Sequence, residues 1–598
     1  MNLCFGKAIL SLGLIKEKSN LALIVVFVLS QLSVVALAAD LPAGTTAGGA
    51  QPILDDVIAE PFVYPNVSPE QPSTESTTQT LIDTDAPRMQ VRGFRIKGIT
   101  EHSDLEITQQ AIELLVKTEA EKLAAVSPKP GFTIDMFESI TTAIGRYYRE
   151  RGFFLARAFI PEQQVSNGIV AISVVEGFLD QIVYRGNSLY SEAQLENIFG
   201  SLRSESVFLE DVETAVFIAN DLPGLDANLL FGPGLKPGSA AIQINSVETP
   251  SSGYLSWDNY GSFFTGEDRL RGAYGLSNLF GQADQLDLDM VMTFNPQNSI
   301  YLGGRYEQPL WGYDTLVGGG FSFNDFDVGG NLADLGINGK STILNGHFTW
   351  LYTRKRTVKI RFTGSVSLKN AKSKIINTVT SKDKLTVLSA TAAYEGTSWS
   401  SSGSYQQMGV TLSLGIPDFL GSMGTDGDGL SGRLGGSESL AGGDFTKISF
   451  NYLRLQRLAD LQTLTLKFSG QVSSDLLTST EQFSLGGPDT VRAYPVAETL
   501  MDTAWLANIE WRVDASPEIP REMLNNLQLV AFFDYGTGDL NDPLTNDVAT
   551  VIYSGYGFGA EMEPYKAFHL KVEMAFDLGD TPSDNRTYPF FFSARYDF

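Results

Sequence analysis

Apolar and polar residues alternate in long runs from about residue 251 to the C-terminus, and this pattern constrains the fold more than any other feature of the sequence. Successive side chains of a β-strand point to opposite faces, so each run predicts a strand with one apolar face and one polar face. The clearest runs have roughly the 9–11 residues with which a tilted strand crosses a bilayer. They are residues 286–294, 358–368, 464–472 and 568–578.

The length of this region predicts the number of strands. Allowing about 22 residues for each strand and its connection gives roughly 16 antiparallel strands, an even number as in bacterial outer-membrane barrels. A soluble β-sandwich is the alternative, but its strands would be shorter. The sequence therefore predicts a transmembrane β-barrel over residues 249–598.

Composition agrees with this class. Of the 598 residues, 58 are Gly, 11% are aromatic and only 19% are charged, whereas soluble domains have roughly 25% charged residues. The net charge is -26. This acidic balance excludes the basic footprint of a general nucleic-acid binder, so no nucleic-acid partner is expected.

The first 38 residues have the pattern of an export signal. Lysines precede an apolar run at residues 21–29, and Ala36, Ala38 and Ala39 then supply an A-x-A cleavage pattern. A membrane-anchor helix is the alternative, although polar residues interrupt the run before it reaches the about 20 apolar residues that span a bilayer. Residues 39–89 are rich in Pro, Thr, Ser and Gly, which predicts a flexible linker.

Two small α/β modules are predicted between the linker and the barrel, over residues 90–178 and 179–248. In the first, apolar residues recur at helical spacing over residues 105–116 and 132–151, and two strands follow around a turn. The same order of strand, helix, helix, strand and strand returns in the second module. Such a repeat suggests a binding tandem, although a fold alone does not fix function.

Four segments, taken in order, resemble one family. Residues 145–177 (GRYYRERGFFLARAFIPEQQVSNGIVAISVVEG) resemble the first POTRA module of two-partner-secretion transporters, the outer-membrane proteins that export and activate haemolysins and filamentous haemagglutinins. Residues 253–286 resemble that family's opening barrel hairpin. FSLGGPDTVRAYP (483–495) resembles the V-R-G-Y/F loop of the wider POTRA-plus-barrel superfamily, and FFDYG (532–536) resembles its F-x-D-x-G strand.

Two features depart from the family pattern. Ala493 stands where the loop usually has Gly, which implies either that this residue keeps φ below zero or that the loop tip is less tightly packed than usual. In addition, the sequence shows no clear pattern for a long N-terminal helix of the kind that plugs the barrel in some members.

The resemblance implies a loop that folds into the barrel. Its motif residues are Gly486, Gly487, Val491, Arg492 and Tyr494. Arg492 is a permanently charged fork of five donors, and Asp534 faces the lumen if its neighbours Phe533 and Tyr535 face lipid. A bidentate pair between Arg492 and Asp534 would hold the loop in one position; two independent solvated charges are the alternative.

The last alternating run ends on an aromatic residue at the C-terminus. It places Phe590, Phe592, Ala594, Tyr596 and Phe598 on one face. A terminal Phe on an amphipathic strand resembles the signal that the barrel assembly machinery of the outer membrane reads. Phe598 is therefore predicted to serve as that signal, and the outward faces of the strands are predicted to contact lipid.

Catalytic and metal-binding patterns are lacking in the sequence. The three histidines (His102, His347 and His569) have no metal-ligand spacing, and the Gly/Ser/Asp-rich residues 421–443 lack the acidic ligands of a calcium loop, so we interpret them as a mobile extracellular loop. We expect no catalytic, cofactor-binding or metal-binding residues and no enzyme activity.

The resemblance and the domain order together imply an outer-membrane export pore. Two periplasmic POTRA modules would capture an unfolded secreted partner, a large β-rich protein of the haemagglutinin or haemolysin kind, and the barrel would pass it to the cell surface. A factor that inserts other barrels into the outer membrane is the alternative, although such factors usually carry more POTRA modules. A plain diffusion porin would not need residues 91–247.

Overall fold

The computed structural model describes residues 42–52 and 87–598, apart from residues 128, 166, 187, 204–205, 237, 295–298, 356, 398–402 and 517–525. The predicted signal peptide (1–38) and most of the predicted linker lie outside the described residues. Within them, no helix has the length and apolar character needed to cross a membrane.

The first module is a three-stranded sheet covered by two helices. Its elements are β1 (Gly93–Lys97), α1 (Gln109–Val126), α2 (Ile134–Arg149), β2 (Arg157–Phe159) and β3 (Ile169–Val175). The strand order is β1-β3-β2, with β1 parallel and β2 antiparallel to β3. Helix α2 begins after Thr133, whose side chain caps the helix by accepting from the Met136 amide. Ile140 and Ile144 on its inner face are fully buried.

The second module repeats this topology. Its elements are β4 (Phe178–Arg185), α3 (Glu192–Phe199), α4 (Leu209–Asn220), β5 (Leu225–Pro233) and β6 (Ser239–Glu248). The strand order β4-β6-β5 matches that of the first module, again with the first strand parallel to the central one. Ser191 and Gln194 form a capping box at the start of α3, and Leu195 on that helix belongs to the same buried core as Ile242 of the sheet.

The two modules touch through aromatic side chains. The rings of Phe153 and Phe208 have centroids 4.5 Å apart, and the Leu209 amide donates to the carbonyl of Gly152. The Glu176 carboxylate, between the modules, contacts His102 of the first module and accepts from Ser206 of the second. The joint is therefore mainly apolar, with a few polar contacts.

A closed antiparallel barrel of sixteen strands follows, which confirms the predicted fold class. Its strands are β7 (Ser251–Asp258), β8 (Asp268–Ser277), β9 (Gln285–Phe294), β10 (Ser299–Pro309), β11 (Thr315–Asp327), β12 (Asn338–Lys355), β13 (Val358–Ile375), β14 (Thr378–Thr397), β15 (Ser404–Gly415), β16 (Phe445–Ala459), β17 (Gln462–Ser473), β20 (Thr503–Asp514), β21 (Asn526–Asp539), β22 (Thr550–Tyr565), β23 (Phe568–Asp577) and β24 (Phe590–Asp597). Two short strands, β18 (Phe483–Leu485) and β19 (Thr499–Met501), pair with each other in the connection between β17 and β20.

The two faces of the wall differ as the alternation predicts. Phe468 and Trp505, on neighbouring strands, stack with ring centroids 5.6 Å apart and both expose apolar surface outward. The hydroxyls of Thr349 and Thr363 lie on the other face and are 2.9 Å apart. The polar face therefore lines the lumen.

The barrel closes between its last and first strands. β24 pairs with β7, and the backbone of Phe598 both donates to and accepts from that of Gly253, at 2.9 Å each way. The Phe598 ring remains exposed and stacks with Tyr274. The last residue thus takes part in closing the ladder.

The second module is docked on the barrel turns nearest to it. The side-chain amide of Asn278, in the β8–β9 turn, donates from Nδ2 to the carbonyl of Leu189 at 2.7 Å. Asp221, at the end of α4, pairs with both Arg354 and Lys359 of the β12–β13 hairpin at 2.7 Å. The end of the barrel that carries these turns is called the module end, and the opposite end the far end.

Candidate functional site: the inner loop of the barrel

The connection between β17 and β20 turns back into the lumen, and residues 474–502 are called the inner loop. Gly486 and Gly487 both have positive φ, at 102° and 109°. Residues with a Cβ disfavour this conformation, whereas Gly adopts it readily. A Cβ at Gly486 would overlap the carbonyl oxygen of Pro495. The sharp bend predicted at these two glycines is present, and it directs the following residues toward the wall.

Arg492 contacts Asp534 through two parallel bonds. Its Nε and Nη2 donate to the two carboxylate oxygens at 2.8 and 2.7 Å, and its backbone amide donates to Oδ2 at 3.1 Å. The side chains are 3% and 0% exposed. The two residues that the sequence suggested as partners therefore form a buried bidentate pair rather than two solvated charges.

Two further carboxylates, neither of which was predicted from the sequence, contact the same guanidinium. Nη1 of Arg492 lies 3.0 Å from Glu510 and 2.9 Å from Glu573, while the Phe532 ring stacks beneath the guanidinium at 3.4 Å. Glu510 and Glu573, like Asp534, sit between apolar neighbours in alternating strands. This alternation is the sequence pattern from which an inward-facing carboxylate could have been predicted at Glu510 and Glu573.

Neighbouring cations balance the excess of carboxylates. Arg512 pairs with Glu510 at 2.8 Å, and Lys571 pairs with Glu573 at 3.0 Å. Burial by itself would lower the pKa of Arg492, but its hydrogen bonds to Asp534 and the surrounding carboxylates raise it above the ordinary value. A buried ion cluster is stable only when each charge is paired in this way, so loss of one member leaves its partners uncompensated.

The other motif residues pack the loop tip against the wall. Val491 and Tyr494 are buried, and the Tyr494 ring lies 4.2 Å from that of Tyr553. Ala493 is buried and does not have positive φ. A Cβ built on Gly555 would lie 2.6 Å from the Cβ of Ala493. The wall thus leaves room for the methyl group, and Ala493 keeps φ below zero, the first of the two alternatives.

Residues 42–52, called the N-terminal segment, lie in the lumen toward the far end, although the sequence suggested a flexible linker there. Apart from one turn of 3-10 helix (Ala43–Thr45), the segment is irregular. The Gly48 amide donates to the Ser479 hydroxyl of the inner loop, and the Ala50 carbonyl accepts from Asn324. Its small residues explain the placement, because a Cβ at Gly48 would overlap the Ser479 backbone.

The loop between β15 and β16 is fastened at the far end. The Gly432 amide donates to Asp383 of β14 at 2.8 Å, and Ser437 donates to Asp542 in another loop. Arg433 donates to the carbonyl of Asn541. These contacts tie down residues 421–443, for which the sequence suggested only mobility. Among the described residues, no cluster of His, Cys, Asp and Glu suited to a metal is found.

A barrel with an inward-folded arginine loop, preceded by POTRA-type modules, defines a POTRA-plus-barrel protein of the outer membrane. Residues 238–562 match the model of the haemolysin secretion/activation protein ShlB/FhaC/HecB family, and residues 105–177 match the ShlB-type POTRA domain. The chain belongs to the ShlB/FhaC/HecB family and is a two-partner-secretion transporter.

Individual relatives agree with this assignment. The heme/hemopexin transporter protein HuxB of Haemophilus influenzae is 28% identical over 412 residues, which cover 67% of this chain and 69% of HuxB. The outer membrane transporter CdiB of Dickeya dadantii is 24% identical over 428 residues, covering 67% and 70%. The solved structure of CdiB from Escherichia coli superposes with a TM-score of 0.63 at 20% identity, over 88% of this chain and 93% of that one, and so shares the fold.

The family fixes the orientation of the molecule. The barrel lies in the outer membrane and the POTRA domains lie in the periplasm. The module end is consequently the periplasmic mouth, and the far end, where the N-terminal segment lies, is the extracellular mouth.

Proposed function

We propose that this chain captures one unfolded, large β-rich partner protein in the periplasm and passes it through its barrel to the cell surface. The observation that carries the proposal is the inner loop, which the Arg492 cluster holds inside a closed barrel whose periplasmic mouth bears two docked modules. We infer a second state of the loop, in which those contacts are broken and the loop leaves the lumen.

Capture is proposed to occur by strand addition to the module sheets. In the orders β1-β3-β2 and β4-β6-β5, the strands β2 and β5 lie at sheet edges, and Phe159 and Leu230 on them expose apolar surface. An added strand is read through its backbone, with side-chain pockets giving selectivity, so the captured partner need not be folded.

Passage requires the inner loop and the N-terminal segment to move, since both occupy the lumen. We propose that folding of the partner outside the cell supplies the driving force and prevents its return, and that the chain carries out no enzymatic reaction and needs no cofactor. A factor that inserts other barrels is less well supported, because the relatives are named as transporters and the described residues 87–248 form only two modules before the barrel.

The remaining assignments are also proposals. Residues 1–38 are a signal peptide, residues 39–89 connect it to POTRA 1 (90–178), and POTRA 2 (179–248) leads into the barrel (249–598). The outward side chains contact outer-membrane lipid. Phe598 is read by the barrel assembly machinery, which is supported by its place at the closing seam.

Depletion of the chain tests the function directly. We expect one large secreted protein to disappear from the culture medium and accumulate in the periplasm, while other outer-membrane barrels keep their levels. Re-expression of the full chain is the control and should restore secretion. A general loss of outer-membrane barrels, with secretion affected only secondarily, would instead establish the assembly factor.

A further inference from the structure

A second buried ion cluster holds the inner loop, on a different part of the wall from Arg492. The Glu481 carboxylate is 1% exposed and lies between two lysines, with Oε1 2.7 Å from Nζ of Lys369 and Oε2 2.8 Å from Nζ of Lys447. Lys447 also donates to the backbone carbonyl of Glu481 at 2.9 Å. The wall lysines therefore bind Glu481 through both its side chain and its backbone.

The lysines reach Glu481 from well-separated strands. Lys369 belongs to β13 and Lys447 to β16, and two further strands lie between these in the barrel. Gln471 of β17 adds a hydrogen bond to the same Glu481 carbonyl at 2.9 Å. The cluster thus connects the loop to strands that are far apart in the wall. Its charges are the reverse of those around Arg492, because here the loop supplies the carboxylate and the wall supplies the cations.

Glu481 also fixes the part of the loop that touches the N-terminal segment. Its amide donates to the carbonyl of Thr478 at 2.9 Å, which closes a tight turn over residues 478–482. Ser479 lies in that turn, and its hydroxyl accepts from the Gly48 amide at 3.3 Å. Displacing the turn would therefore remove the surface on which Gly48 rests.

We propose that Glu481, Lys369 and Lys447 form a charge latch that holds the turn 478–482 and, through Ser479, keeps the N-terminal segment seated in the extracellular mouth. Glu481 is a positioning residue in this scheme. Without its negative charge, the half-buried ammonium groups of Lys369 and Lys447 would be left close together without the carboxylate that pairs with both, a state that is disfavoured. The inference rests on the proposed export pore, and it adds that the closed state has its own control point besides Arg492.

The test compares Glu481→Gln with Glu438→Gln, an exposed glutamate at the same end of the barrel. Both are made in the full chain with Cys4→Ser, so that an added Ala47→Cys supplies the only thiol, and Ala47 is buried in the N-terminal segment. Labelling of whole cells with a membrane-impermeant maleimide then reports whether the segment leaves its seat. Conductance in planar bilayers reports whether the lumen opens.

We expect Glu481→Gln to raise the labelling rate and the open fraction about tenfold, as a shift of 1.4 kcal/mol gives, and Glu438→Gln to change neither. Adding Lys369→Met to Glu481→Gln removes one uncompensated charge and should restore part of the protection. Heat-modifiable migration confirms that each variant forms a barrel, and Glu481→Asp provides a milder second variant if Glu481→Gln does not assemble.

Unchanged labelling and conductance in an assembled Glu481→Gln or Glu481→Asp barrel would overturn the latch. Failure of the export function would look different: secretion would be independent of the wild-type chain, while the labelling and conductance of the variants would still report on the latch.

Discussion

The two ion clusters that hold the inner loop are opposites. Near the loop tip, one cation, Arg492, lies among three carboxylates of the wall formed by β20–β23. Earlier in the loop, one carboxylate, Glu481, lies between two lysines of β13 and β16. In both places the loop supplies the single charge and the wall supplies the excess of opposite charge. These wall charges consequently lose their partner when the loop leaves, and the cost of removing the loop charge grows with the number of like charges left behind.

The largest effect is expected for Arg492→Ala, because three carboxylates would then face one another in a buried site. Breaking a buried ion pair costs about 3–5 kcal/mol, which is more than breaking the same pair in contact with water. The wall has sixteen paired strands, so barrel assembly should persist while secretion is lost. Secretion assays measure the loss of secretion, and heat-modifiable migration of the same cells measures barrel assembly.

Arg457→Ala, which removes an exposed arginine, is the matched control and should secrete normally. Normal secretion by Arg492→Ala would show that the cluster does not position the loop.

A smaller defect is expected for Asp534→Ala, since Arg492 keeps Glu510 and Glu573 as partners. Loss of hydrogen bonds to a charged group costs about 1.5–3 kcal/mol, so secretion should fall but remain measurable. The double variant Arg492→Ala/Asp534→Ala should be no worse than Arg492→Ala, because one carboxylate fewer is left unpaired. Defects that multiply in the double variant would mean that the residues act separately.

Gly555→Ala tests whether the Arg492 cluster depends on close backbone packing. The added Cβ would lie 2.6 Å from that of Ala493 and 3.0 Å from the Phe576 carbonyl, and overpacking of this kind costs about 1–3 kcal/mol. We expect reduced secretion, partly restored by Ala493→Gly, which removes the first contact but not the second. Ala493→Gly alone is the control. Absence of any rescue would show that the clash with Phe576 dominates.

Acid should have almost no effect on the latch. Burial by itself would raise the pKa of Glu481, but the two lysines lower it from 4.5 to about 2. The stabilisation from this carboxylate is complete above its ordinary pKa and is lost only as the pH falls toward the lowered value, so it is constant between about pH 8 and about pH 5. The ratio of Ala47→Cys labelling rates between Glu481→Gln and the parent should stay the same over this range. A ratio that approaches one by pH 5 would show that Glu481 is already protonated there.

The sequence predicts the wall better than it predicts what fills the lumen. Alternation defines strands because it repeats along every one of them, and it also indicates that Asp534, Glu510 and Glu573 face inward. It does not indicate which inward carboxylate meets Arg492, since that depends on how deeply the loop enters. The pairing of Glu481 with Lys369 joins a loop to a strand that is not its neighbour, and no periodicity reports it. The N-terminal segment has no apolar pattern at all, because its small residues act through close backbone contact.

The docking of the second module determines how a mechanical force on a bound partner would be transmitted. Force on a chain bound to the first module would act on the Phe153–Phe208 contact, then on the second module. It would reach the barrel at Asn278 and at the charges around Asp221. Arg354 and Lys359 sit in a hairpin continuous with the membrane wall, so the embedded barrel would bear the tension. The joint between the modules is mainly apolar, whereas the docking on the barrel includes charged pairs, so we expect the joint to yield first. A partner under traction would therefore swing the first module while the second stays over the mouth.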